Sequence, residues 1–161
     1  DTPNWKEEKK SLPLPSRERE QEESQILQKP VVVHCPRSHR HFQRPRFEIE
    51  RFRQRNIPVA LGTDSLASNN TLDMLKEMQA FREDHPEIPS EIIITMATIE
   101  GALALGLQDE IGSLEAGKKA DLAVIVTGSP KENPAAVAIS GACRATYISG
   151  RLVYSGSSNH E

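Results

Sequence analysis

Two patterns of apolar and polar residues meet near position 30. Residues 1–30 hold five apolar side chains (Trp5, Leu12, Leu14, Ile26, Leu27) against thirteen charged ones, with Pro3, Pro13, Pro15 and Pro30 between them. Ser16 could cap a short helix over 16–28, but Ile26 and Leu27 give it little to bury, so the segment reads as a charged, disordered extension. From position 31 the pattern changes. Val31-Val32-Val33 is a β-branched run of the kind that forms a buried strand, and it ends in His34-Cys35-Pro36. Pro45 sits well for the first turn of a helix over 45–56. A second apolar run, Ile57-Pro58-Val59-Ala60-Leu61, ends in Gly62-Thr63-Asp64-Ser65. Ser68-Asn69-Asn70 then supplies a cap for a helix over 71–84, in which Leu72, Leu75, Met78 and Phe81 fall at helical spacing. A further helix fits 90–107, between Pro89 and Gly106.

Strand, helix, strand, helix is the sequence form of a parallel βαβ unit, and the 30 residues from His34 to Asp64 suit one such unit. Downstream the period shortens. Positions 121–126 and 144–154 read as strands, with turns at Gly128-Ser129-Pro130 and Gly150-Arg151, so the last forty residues form a small β-rich module.

Composition narrows the classes. Of the 161 residues, 37% are apolar and 4% aromatic, enough beyond position 30 for one core. A net charge of −3 argues against nucleic acid as a partner of the whole chain. No apolar stretch approaches the ~20 residues that cross a bilayer, and no basic-then-apolar leader opens the sequence. Two cysteines, Cys35 and Cys143, cannot build a disulfide framework, which points to a reduced, cytoplasmic setting. The first residue is Asp1 rather than Met, the expectation being a piece of a longer product.

In parallel α/β folds the reactive groups gather where strands end, and both strand ends here carry them: His34 with Cys35, and Asp64. A carboxylate directly after a buried strand, on a Gly-Thr-Asp-Ser turn, can act as a hard-oxygen metal ligand or a general base. It can equally cap the turn by accepting backbone N–H bonds. The spacing alone leaves both readings open.

These residues also carry a resemblance. Val32-Val33-His34-Cys35-Pro36-Arg37-Ser38, then Val59 through Asn70 (VALGTDSLASNN), then Leu72-Asp73-Met74 and Glu77-Met78 resemble the last two barrel strands of the amidohydrolase superfamily, in the branch of cytosine, guanine and S-adenosylhomocysteine deaminases and triazine chlorohydrolases. Ile111-Gly112-Ser113-Leu114-Glu115-Ala116-Gly117-Lys118-Lys119-Ala120-Asp121-Leu122-Ala123-Val124-Ile125 resembles the linker from that barrel into a composite β-domain. Ala145-Thr146-Tyr147-Ile148-Ser149-Gly150-Arg151-Leu152-Val153-Tyr154 resembles its closing hairpin.

The resemblance implies an α/β fold, the carboxy-terminal part of a metal-dependent hydrolase (β/α)₈ TIM barrel plus part of a composite β-sandwich. It divides the chain into 1–30 (extension), 31–110 (last βα units of the barrel) and 111–161 (segment of the composite β-domain). It also implies hydrolysis of a carbon–nitrogen bond, as in deamination of a purine- or pyrimidine-like ring, or dechlorination of a triazine-like ring. A divalent metal, zinc first and iron second, would activate water there. Asp64 would be metal ligand and proton shuttle, with His34, Ser65 and Asn69 as substrate-binding residues. The substrate would be a small heterocycle; no nucleic acid or membrane partner is expected, and a homo-oligomer would supply missing strands from a partner chain.

The departures bear on activity. The family's metal-binding histidines precede its seventh strand, yet residues 1–30 contain no histidine. A barrel takes ~250 residues, so this chain holds about a quarter of one and is expected to be inactive alone. His39-Arg40-His41 spells His-x-His but lies in a loop after the position of the family's seventh strand, not its first, and solvated side chains are expected. His85 and His160 are not placed for metal, and Glu100 stands where the family usually has Asn. Arg37, Arg40, Arg44, Arg46, Arg51, Arg53 and Arg55 crowd nineteen residues; a solvated helix face is favoured over an anionic-substrate contact. Cys35 reads as structural rather than nucleophilic. The competing function is a non-catalytic binding or assembly remnant of the barrel.

Overall fold

The computed structural model describes residues 30–127 and 133–156. The extension at 1–29, the turn at 128–130 and His160 lie outside them. Two short apolar runs form parallel neighbours: β1 (Val32–His34) and β2 (Val59–Leu61), with Val32 opposite Val59 and His34 opposite Leu61. Between them the chain makes two short helices, α1 (Pro36–His41) and α2 (Ile49–Arg53), where the sequence suggests one helix over 45–56. Pro36 starts α1 because its missing N–H is not needed in a first turn. Gln43 and Asn56, both at positive φ, end the helical segments.

After β2 comes α3 (Met74–Asp84), three residues later than the spacing suggests, because Asp73 rather than Asn70 caps it by accepting the Leu75 N–H at 2.9 Å. The expected helix over 90–107 is two, α4 (Ser90–Ala97) and α5 (Ile99–Ala104), broken where Thr98 leaves helical geometry (φ −125°, ψ −93°). These helices cover one side of the β1–β2 pair. Val59, Leu61, Phe81, Ile93 and Met96 form the core there with Ile49 and Ile139. Burying so many aliphatic and aromatic side chains is the main stabilising term.

The opposite side of the pair is covered only in part: Ala60, on β2, is 1% exposed there. Val33, which alternates with Val32 and His34, is 55% exposed. A Cβ on Gly62 would stand 2.9 Å from Val33 Cγ1 and 3.1 Å from Cys35 Sγ, so these three residues share that side.

The linker turns through Gly112 and Gly117, both at positive φ, into an antiparallel sheet β3 (Leu122–Val126), β4 (Ala142–Ile148), β5 (Arg151–Ser155), ordered β3-β4-β5. The β-rich reading misses one element. The helix α6 (Pro134–Ser140), capped by Asn133, lies between β3 and β4 and sends the fully buried Ile139 into the core. Gln79 and Arg82 of α3 bond the carbonyls of Ile139 and Ala136. Between α3, α4 and the sheet an apolar cavity of about 830 Å³ remains, bordered by Met78, Ile94, Leu122, Ile125 and Ile139. Among the described residues no helix is long and apolar enough to cross a membrane.

Candidate active site at the strand ends

Asp64 ends the turn that follows β2 with φ +55°, a left-handed conformation that Asp tolerates better than most residues. Its carboxylate is exposed but held. Ser38 Oγ donates to Oδ2 at 2.7 Å and Ser68 Oγ to the same oxygen at 3.0 Å, and the two hydroxyls are 2.9 Å apart. These bonds, the Ser38 one first, then Ser68 and the Ser65 backbone N–H, hold the Asp64 carboxyl below its ordinary range, because each stabilises the charged form. So Asp64 is a fixed anion at the carboxyl end of a parallel strand. Ser65 is exposed beside it.

Behind this group lies a second carboxylate. Glu77 is fully buried on α3, where Oε2 accepts the Arg37 backbone N–H at 3.0 Å and Oε1 accepts Asn69 Nδ2 at 2.5 Å. Asn69 Nδ2 also donates to the Thr63 carbonyl at 3.0 Å. Glu77 therefore ties the first turn of α1, next to Ser38, to the loop that carries Ser68. Asn69 points its amide nitrogen inward, and its Oδ1 is buried with no partner among the described residues. Sequence reasoning passes over Ser38, Ser68 and Glu77. Glu77 left a signal: it lies three residues after Met74 and four before Phe81, on the apolar stripe of its helix, where an unpaired charge would be costly.

The structure brings Asp64, Ser65 and Asn69 together and sets His34 elsewhere. Only 5% exposed, the His34 ring stacks on Phe47 at 4.1 Å and meets Phe81 edge-on at 5.9 Å. Its strand position faces the helices, which supplies packing and not a contact with the open side. Burial first, then the neighbouring His39 and His85, push its pKa down to about 4. The His39-Arg40-His41 pair does not converge: His39 Nε2 bonds the Pro45 carbonyl at 2.6 Å, while His41 packs against Phe42. His85 is buried too, stacked on Phe81, with Nδ1 accepting from Arg46. Cys35 lies by the Asp64 backbone N–H, and burial raises its pKa, which keeps it a thiol.

Among the described residues no three His, Cys, Asp or Glu side chains converge on one point. At Asp64 the donor set is one carboxylate and two hydroxyls. A catalytic zinc takes about three protein ligands, so this set does not make a metal site by itself.

The model of the amidohydrolase family matches residues 12–153. A 5-methylthioadenosine/S-adenosylhomocysteine deaminase of Teredinibacter turnerae is 45% identical over 101 residues, 58% of this chain and 23% of that protein. One of the same name from Symbiobacterium thermophilum is 35% identical over 139 residues, 76% of this chain and 32% of the relative. Among solved structures, an adenosine deaminase from Xanthomonas campestris with bound zinc superposes with TM-score 0.69 at 29% identity, covering 76% of this chain and 31% of that one. E. coli guanine deaminase also superposes at 0.69, with 26% identity over 80% of this chain and 35% of its own. The chain thus spans between 23% and 32% of these two curated relatives.

Proposed function

The chain belongs to the amidohydrolase family, and on that premise we propose that it is the carboxy-terminal part of a deaminase-type hydrolase, contributing one functional carboxylate, Asp64, to a site completed by other parts of the barrel. In this reading residues 31–110 are the last βα units, and β3–β5 belong to a composite β-sandwich. The family's divalent metal would supply an acidified water, and Asp64 would be one of several ligands to it. The other ligands are not in this donor set; what this chain's own residues can do is hold and move a proton.

The observation that carries the reading is an exposed carboxylate held by two hydroxyls at a strand's carboxyl end. A fixed anion there can take a proton from an attacking water and pass it to a departing ring amine. Both serine hydroxyls converge on Oδ2. Ser65 and Asn69 would border the ring, Asn69 chiefly by holding the loop. His34 packs against His39 of α1 and Phe81 of α3. Purine-like substrates are supported by the deaminase names of the relatives, and a triazine-like ring is the second choice within the same chemistry.

The test is a chimera in which this chain replaces the matching segment of the Teredinibacter turnerae protein. The chimera should release ammonia from 5-methylthioadenosine, and Asp64→Asn should lower kcat by about 10²–10⁴. A folded chimera whose turnover survives Asp64→Asn would overturn the assignment. The chain alone should show neither stoichiometric zinc nor turnover; finding both would overturn its reading as a part.

A further inference from the structure

Beside Asp64, α1 and the loop after β2 border a hollow of about 510 Å³ lined by Arg37, Arg40, Ser68 and Asn70 among others, with no carboxylate in its lining among the described residues. It adjoins the candidate site through Ser68, whose hydroxyl donates to Asp64 Oδ2. The two arginines differ in what holds them. Arg40 is committed to α3: Nε and Nη2 bond Asp84, Nη1 bonds Glu83 and Nη2 also donates to the Ala80 carbonyl. Its charge and its fork are both taken. Among the described residues Arg37 is bonded only to neutral acceptors, Asn70 Oδ1 and the Thr71 carbonyl. Glu77 takes the Arg37 backbone N–H and not its guanidinium.

Neutral acceptors orient a guanidinium without cancelling its charge. Of its five N–H donors two are used, so a planar, charged fork remains with donors to spare. That is the arrangement by which proteins bind carboxylates and phosphates, and pre-orientation lowers the entropy lost on binding. Within the crowd of seven arginines, Arg37 thus combines a free charge with a held orientation beside the candidate site.

We propose that this hollow is a subsite for an oxyanion, a carboxylate or phosphate borne by the substrate, with Arg37 as its receptor. That the anion belongs to a substrate rests on the function proposed for Asp64; that an oxyanion binds next to Ser68 does not. The interaction is non-covalent: guanidinium N–H groups donate to the anion's oxygens, displacing water.

The experiment titrates the isotope-labelled chain with inorganic phosphate and, separately, with acetate, using sodium chloride at matched ionic strength as control. Saturable NMR shifts are expected at Arg37 Nε and at the amides of Ser68, Asn69 and Asn70, absent with chloride. The stronger of the two probes identifies the oxyanion. Arg37→Gln should weaken binding by about tenfold or more, and Arg37→Lys by less, because an ammonium keeps the charge but loses the fork. Asn70→Asp is the second variant: it sets a carboxylate against an intact Arg37 and should suppress binding without removing the arginine. Shifts equal to those with chloride, shifts centred on Arg51, Arg53 and Arg55, or binding unchanged in both Arg37→Gln and Asn70→Asp would overturn the proposal. The titration needs neither metal nor turnover, so an inactive chimera would count against the role of Asp64 and not against this subsite.

Discussion

His34 and Asp64 each follow a parallel strand, yet their surroundings give them opposite fates. Asp64 stands in the open with hydroxyls supporting its charge, while His34 is enclosed by aromatic rings that favour its neutral form. In the unfolded chain a histidine titrates near its ordinary 6.5, whereas in the fold His34 titrates at about 4. Below 6.5 the unfolded state takes up a proton that the folded state refuses, so stability falls from pH 6.5 toward 4 and is unaffected by this group above 6.5. The loss across that window should reach up to about 3 kcal/mol. Urea midpoints measured from pH 7.5 to 4 should drop accordingly, and His34→Phe, which keeps the stack, should flatten the curve. Glu77 makes a second prediction. Glu77→Gln replaces one acceptor of a buried two-bond clamp with a donor and should cost about 1–3 kcal/mol in urea unfolding. A cost near zero would mean that the clamp is not formed. Of these residues Asp64 was legible in the sequence because a carboxylate after an apolar run is conspicuous. Ser38 was not, because nothing local says that a serine on α1 will meet a carboxylate 26 residues away.

At the scale of elements, α3 organises the structure. Its outer edge collects the crossover between β1 and β2: Arg40 bonds Glu83 and Asp84, and Arg46 donates to the Asp84 carbonyl, to His85 and to Glu87. The sequence pattern reads this arginine-rich stretch as a solvated face. Three of its members instead tie α1 and the following loop down, and they do so through partners more than thirty residues away. Glu100 has a similar explanation. Standing where the family usually has Asn, it accepts the Val59 N–H at 3.2 Å and so satisfies the first amide of β2. The linker offers a test. At Gly112 (φ +93°) a Cβ would come within 2.7 Å of Ala102 Cβ and 2.9 Å of Ile99 Cα, whereas at Gly117 (φ +95°) it would meet nothing within 4 Å. Both glycines incur the same backbone strain if replaced, so only packing separates them. Gly112→Ala should lower stability by clearly more than about 1 kcal/mol, and by more than Gly117→Ala. Thermal melts of the two variants check this; equal losses would show that α5 does not press on the linker as described.

Across the whole molecule the bare surfaces are the informative ones. β5 is exposed along its length, with Leu152, Val153 and Tyr154 each more than half exposed, and it is an edge strand of its sheet. Unpaired backbone groups beside apolar side chains invite pairing with another strand. The chain should therefore associate as its concentration rises, and Val153→Lys should reduce that association. Sedimentation velocity over a concentration series would show it, and a strict monomer at high concentration would contradict it. The β1–β2 pair has the same character: among the described residues it is a two-stranded sheet, so each strand has an edge without a partner.

The order of strands and helices, the parallel pairing and the position of Asp64 were determined by the sequence, since apolar period, proline placement and strand-end chemistry act over a few residues and need no partner to be read. Helix limits, α6 and the division of 90–107 were decided by packing, because a cap or a break depends on which face a neighbour covers. The same holds for side-chain fate. Only the tertiary structure turned His34 into the core, committed Arg40 to α3 while leaving Arg37 with its charge, and buried Glu77 beneath Asp64, for these depend on distances between segments that lie far apart along the chain.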